Sequence, residues 1–212
     1  MFTLVIGGSA SGKSEYAERH VLSLHSQGPR IYIATMEPFG EEAQARIARH
    51  HAMRADRGFE TIECYRNAGA VRLPENSNVL LEDLGNLAAN ELFGADQIPE
   101  ENASARSEQK DAGKDDLHAR DFSAETAADT DRRHLQALTD RLAADIESLH
   151  AQCSHLTIVT NEVFSGGKEY EGETLTYLRL LAALNRKLAA RADLLVEVVC
   201  GIPDILKDRR KL

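Results

Sequence analysis

Apolar residues along this chain fall into two recurring arrangements. Short, nearly unbroken runs occur at Phe2–Ile6, Arg30–Ala34, Glu60–Cys64, Asn78–Glu82, His155–Thr160 and Leu194–Val199. Runs of that length, bounded by polar and turn-forming residues, read as buried strands. Between them, apolar positions at helical spacing predict helices near 14–25, 40–55, 84–93, 132–151 and 173–192. Strands alternating with helices predict βαβ units, hence an α/β fold with a mainly parallel sheet covered on both faces. Ligands of such sheets bind just beyond the carboxyl ends of the strands. The strand ends are therefore where chemistry is expected.

The first strand end carries the strongest signal. Gly7-Gly8-Ser9-Ala10-Ser11-Gly12-Lys13-Ser14 has the spacing G-x-x-x-x-G-K-[ST] and joins an apolar run to a helical segment. That is the context in which this spacing forms a P-loop. Its glycines let backbone N–H groups curl around an anion, and the helix amino terminus adds a positive dipole end. Lys13 is placed to reach the β- and γ-phosphates of a nucleoside triphosphate, and the Ser14 hydroxyl to bind Mg²⁺.

The other strand ends add acidic residues. Thr35-Met36-Glu37 follows the second run, Glu63 closes the third, Leu81-Glu82-Asp83 closes the fourth and Thr160-Asn161-Glu162 follows the fifth. Apolar residues running into Glu82 resemble a Walker B strand. Glu82, Asp83 and Glu162 are candidates for holding Mg²⁺ or its water shell; the alternative for each is a cap on the helix that follows.

Composition narrows the setting. The 212 residues are expected to form one domain, 1–212, and their net charge of -9 argues against broad nucleic-acid binding. Between positions 95 and 131 there are eleven acidic and four basic residues and few large apolar ones. That stretch reads as an acidic, flexible insertion. Cys64, Cys153 and Cys200 lie far apart, each in or beside an apolar run, as buried free thiols would in a reducing cytosol. With no signal peptide and no run long enough to span a membrane, a cytoplasmic protein is expected.

The predicted helix over 40–55 has a basic face. Arg46, His50 and Arg54 recur every fourth residue and stack along one side. Neighbouring cations hold a histidine neutral, which suits it to attack phosphorus. An exposed helix with two surface histidines, His50 and His51, is the plainer alternative.

Taken in order, these pieces resemble the bifunctional adenosylcobinamide kinase / adenosylcobinamide-phosphate guanylyltransferase family of cobalamin biosynthesis. The resemblance rests on the P-loop near the amino terminus, Tyr32-Ile33-Ala34-Thr35, Arg46-Ile47-Ala48-Arg49-His50, Thr61-Ile62-Glu63, Val159-Thr160-Asn161-Glu162-Val163, Asn185-Arg186-Lys187-Leu188-Ala189 and Gly201-Ile202-Pro203-Asp204-Ile205-Leu206-Lys207. It implies a RecA-like P-loop fold, ATP and GTP as substrates, a corrinoid acceptor and a homo-oligomer. It implies phosphorylation of the corrinoid's aminopropanol hydroxyl, then GMP transfer through a GMP–histidine intermediate at His50. By the same resemblance, nucleotide contacts carry over to the P-loop, Thr35, Met36, Glu37, His51, Ala52, Met53, Arg54, Glu63 and Glu82. The chain departs from the family pattern at Glu82-Asp83-Leu84-Gly85-Asn86 and in the loop over 164–172. Two rival readings stand beside it: a different small-molecule kinase with His50 inert, and a nucleotide-dependent binding module.

Overall fold

The computed structural model describes residues 1–24, 28–37, 57–94, 117–164 and 170–211. Seven strands form one sheet in the order β3-β2-β4-β5-β1-β6-β7. They are β1 (Phe2–Gly7), β2 (Arg30–Ala34), β3 (Phe59–Glu63), β4 (Asn78–Glu82), β5 (His155–Asn161), β6 (Leu194–Val199) and β7 (Ile202–Asp208). The helices are α1 (Lys13–Ser23), α2 (Leu84–Phe93), α3 (Leu117–Gln152) and α4 (Gly172–Arg191). All neighbouring pairs from β3 through to β6 are parallel, and only β7 runs antiparallel to its partner, β6.

Strand alternation sorts the core into two layers. Leu4, Ile31, Ile33, Val79, Leu81 and Ile158 face one side, where Leu87 of α2, Leu142 and Ile146 of α3, and Leu181 and Leu184 of α4 pack on them. Val5, Tyr32, Leu80, Val159 and Val196 face the other side, against Ala17 and Val21 of α1. Residues one apart on a strand therefore lie in different layers. Each fully buried Leu or Val contributes about 1.5–3 kcal/mol over leaving it in water. This explains why these strands read as continuous apolar runs rather than as alternating ones. The doubly covered parallel sheet is the α/β P-loop architecture expected from the pattern.

Three differences from the sequence expectations have physical causes. Helix α3 starts at Leu117, well before 132, so it continues into the acidic stretch. Strand β7 was not expected. It is a sheet edge whose first five residues are exposed, so no apolar alternation marks it, and Pro203 is tolerated there because an edge has a free side. The turn into it, Cys200-Gly201, has φ of 51° and 79°, as a two-residue hairpin requires. That turn also exposes Cys200, while Cys64 is buried and Cys153 half-buried; all three are free thiols. The helix expected over 40–55 lies outside the described residues.

Candidate functional site

Strand β1 ends at Gly7 and helix α1 begins at Lys13, so the P-loop lies at the carboxyl edge of the sheet, between the ends of β5 and β6. Gly12 caps α1 in the left-handed region, with φ of 91°, a conformation that favours glycine. A Cβ on Gly12 would approach Gly201 Cα to 3.1 Å, so the hairpin turn packs directly on the loop. The Gly201 N–H also donates to the Ser11 carbonyl at 2.8 Å. A Cβ on Gly7 would meet the Val198 carbonyl at 2.7 Å. Gly8, Ser9 and Ala10 form the turn between, with Ala10 at φ of 55°. The Lys13 side chain is 9% exposed and folds back so that Nζ donates to the Gly8 carbonyl at 3.1 Å. An ammonium held over the loop in this way is ready to exchange that carbonyl for a phosphate oxygen.

Beside the loop, β4 delivers Glu82. Its carboxylate accepts from Ser14 Oγ on one oxygen and from the Tyr32 hydroxyl, at 2.9 Å, on the other. The Walker B expectation placed Glu82 at this strand end; the contact with Ser14 is what a shared cation needs. A serine hydroxyl and a carboxylate are the hard oxygen donors Mg²⁺ takes, with nucleotide phosphates and water completing its shell. Among the described residues no group of three or more His, Cys, Asp or Glu side chains converges on a metal position. Glu162, just beyond β5, donates its N–H to the Gly7 carbonyl at 2.9 Å, and its carboxylate accepts from Phe164 N at 3.0 Å.

Asp83 caps α2, accepting from the Asn86 N–H at 2.6 Å. Burial raises its pKa, opposed by hydrogen bonds from Asn86 and from the Asn161 side chain and by the charge of Lys13. Thr35 is buried; its hydroxyl donates to the Asp83 carbonyl at 2.8 Å and its own carbonyl accepts from Asn90 at 2.8 Å. Met36 is exposed, and Glu37 is paired with Arg66 at 3.0 Å. Glu63 accepts from the Tyr65 hydroxyl at 2.6 Å. Glu37, Glu63, Tyr65, Arg66 and Asn67 line a cleft of about 480 Å³ at the ends of β2 and β3. Thus Thr35, Met36, Glu37, Glu63, Glu82 and Glu162 all sit at carboxyl ends of strands. His50, His51, Ala52, Met53 and Arg54 lie outside the described residues, as does Arg46.

Some participants were not legible beforehand. Tyr32 looked like one more apolar strand residue, and nothing local told that its hydroxyl meets the next strand's end. Arg66 follows a strand end by a few residues, a position that draws attention only once Glu37 is placed opposite. Asp83 did give a signal, since Asp followed three residues later by Asn86 at a helix start is a capping pattern.

A glycine loop between strand and helix, a lysine over it and a serine against a strand-end carboxylate define a P-loop nucleotide-binding protein of the α/β class. The chain belongs to the cobinamide kinase / cobinamide phosphate guanyltransferase (CobU) family, whose pattern matches residues 3–206. It is 30% identical over 207 residues to the bifunctional adenosylcobalamin biosynthesis protein CobU of Salmonella typhimurium, covering 95% of this chain and 97% of that protein. It is 28% identical to the Escherichia coli protein of the same description, with the same two coverages. Among solved structures, the flagellar accessory protein FlaH of Methanocaldococcus jannaschii overlays with a TM-score of 0.45 at 13% identity, over 99% of this chain and 79% of that one.

Proposed function

We propose that this chain is an adenosylcobinamide kinase and adenosylcobinamide-phosphate guanylyltransferase. The observation that carries the reading is Ser14 and Glu82 in contact beneath a complete P-loop, in a chain that matches the family over 3–206. In the kinase step, the acceptor hydroxyl oxygen bonds to the γ-phosphorus of ATP or GTP and its proton is released to solvent. The bond from that phosphorus to the β–γ bridging oxygen breaks, and nucleoside diphosphate leaves with the released charge. Lys13 and the amides at the start of α1 bind the triphosphate and stabilise the charge that builds up on it. Ser14 and Glu82, with Glu162 at the neighbouring strand end, would hold Mg²⁺, which would supply further charge neutralisation.

In the second step the neutral His50 imidazole attacks the α-phosphorus of GTP and pyrophosphate leaves. GMP then passes from His50 to the corrinoid phosphate, giving adenosyl-GDP-cobinamide. Arg46 and Arg54 stabilise the phosphate charge, and His51, Ala52 and Met53 complete the nucleotide contact with Thr35, Met36, Glu37 and Glu63. Support comes from the resemblance at Arg46–His50 and from the Glu37–Glu63 cleft, which extends the site away from the P-loop. Exposed Val163 and Phe164 beside the loop suit a large, partly apolar acceptor. We further read a cytoplasmic homo-oligomer; among the described residues no helix is long and apolar enough to cross a membrane.

Incubation with GTP labelled at the α-phosphate tests this. The wild-type chain is expected to form an acid-labile, base-stable GMP adduct. His50→Ala should lose the adduct and keep phosphorylation of adenosylcobinamide, whereas Lys13→Ala should lose both. Phosphorylation with no adduct would leave a kinase alone, and an adduct that persists in His50→Ala would remove that residue's role.

A further inference from the structure

Two consecutive residues near the carboxyl end of α2 hold the chain where it leaves β2 and β3. The Asn90 side-chain amide donates to the Thr35 carbonyl at 2.8 Å and to the Tyr65 carbonyl at 3.0 Å. Glu91, 2% exposed, accepts the Asn67 N–H at 2.6 Å on one oxygen and Arg141 at 2.7 Å on the other. Main-chain pairing of β2 with β3 runs on to the Cys64 N–H, which donates to the Ala34 carbonyl at 2.9 Å. One residue beyond, on each chain, stand the Thr35 and Tyr65 carbonyls that Asn90 bridges. Shortly past them come Glu37 and Arg66, paired at 3.0 Å, which with Glu63, Tyr65 and Asn67 line the cleft of about 480 Å³. Asn90 is not among the described residues that line it, so it can act on the cleft only through those that do.

We infer that Asn90 is a positioning residue for the nucleotidyl step. By binding both exits with one amide it sets the separation of the two cleft walls. It thereby places Thr35, Glu37 and Glu63 against the GTP that His50 attacks in the reading above, on which this inference rests. A side-chain amide carries two N–H donors on one nitrogen. Here both go to main-chain carbonyls of different strand exits, so neither exit can move away without losing the shared nitrogen. The stability of α2 does not account for the residue, because Asn is a poorer choice than Ala or Leu in a helix interior. Thr35 is held by both ends of the helix, since its hydroxyl donates to the Asp83 carbonyl at 2.8 Å. Asp83 in turn follows Glu82, the partner of Ser14. Helix α2 therefore fixes the cleft relative to the P-loop. Glu91 adds to the grip by holding the N–H of Asn67, which has φ of 52° and follows Arg66 directly.

Asn90→Ala removes both bonds, whereas Asn90→Asp keeps the shape and turns an oxygen toward two carbonyls. The full-length variants are assayed for GMP-adduct formation against GTP concentration, for phosphorylation of adenosylcobinamide by ATP and for thermal midpoint. The second-order rate of adduct formation should fall about tenfold or more in Asn90→Ala, since a small misplacement of reacting groups is costly, and further in Asn90→Asp. For phosphorylation by ATP, kcat/KM should stay within about twofold of wild type, because the P-loop contacts are intact. A merely structural role would lower both activities together, in step with the thermal midpoint. Both activities falling by the same factor therefore overturns the positioning role. A wild-type chain that forms no adduct overturns the guanylyltransferase reading and the positioning role together. A wild-type adduct that both variants match overturns the positioning role alone.

Discussion

Glu82 holds two hydroxyls at once, Ser14 on one oxygen and Tyr32 on the other. Each does a different job. Ser14 places the carboxylate against the P-loop, while Tyr32, 2% exposed in β2, fixes its rotamer from below. Glu82→Gln keeps the shape and removes the charge, so steady-state kinetics should show kcat falling about 100-fold, as for loss of one preorganised electrostatic group, with little change in melting temperature. Tyr32→Phe should cost only about 1 kcal/mol of stability, read from urea titration. A separate carboxylate gives a pH test. Asp145 on α3 has its pKa raised, first by burial and then by Glu91, against Arg141 and the Gly69 N–H, and its Oδ2 has no hydrogen-bond partner among the described residues. A raised pKa means the fold favours the protonated form. Its contribution is full at low pH and is lost as pH rises through the folded-state value. Asp145→Asn should therefore match wild type below the ordinary carboxylate range, about 4, and become more stable than it above. For a half-buried, partly screened group the gain is under about 1 kcal/mol.

At the scale of elements, the strands that were easiest to read are those buried on both faces. Arg30–Ala34 and Asn78–Glu82 have the expected bounds because both faces of their central residues are buried and leave only apolar choices there. Strand β7 escaped because nothing described covers its first five residues. The early part of α3 escaped because the acidic stretch over 95–131 lacks an apolar stripe. The P-loop was legible from its fixed glycine-lysine-serine spacing, and the place of Glu82 from the apolar run that it ends. The contact of Asp83 with the Asn161 side chain was not, since it joins the ends of two strands far apart in the chain. Close backbone approaches are equally silent. A Cβ on Gly28 would lie 1.8 Å from the Asn76 carbonyl oxygen and 2.4 Å from its carbon. Gly28→Ala must displace backbone and should cost more than the 1–3 kcal/mol typical of overpacking, about 3 kcal/mol or above by chemical denaturation.

For the whole molecule, the sheet is asymmetric. The β3 edge lies at the wall of the Glu37–Glu63 cleft, whereas the β7 edge presents Ile202, Ile205 and Leu206, each more than half exposed, with Val199 beside them. An exposed apolar edge strand invites pairing with another chain. If a second copy covers it, as the homo-oligomer reading has it, Ile205→Glu should shift sedimentation toward the monomer while leaving the secondary structure seen by circular dichroism unchanged. The antiparallel hairpin that bears this edge also touches the P-loop through Gly201 and Ser11. The strand that launches the P-loop lies inside the sheet, between a neighbour that ends at Asn161 and one that ends at Val199, both of which follow it in the chain. During translation the glycine turn therefore emerges before either of the strands that flank it. A chain cut off before β5 should hold no nucleotide, because the glycine turn would then lack both strands that fix it.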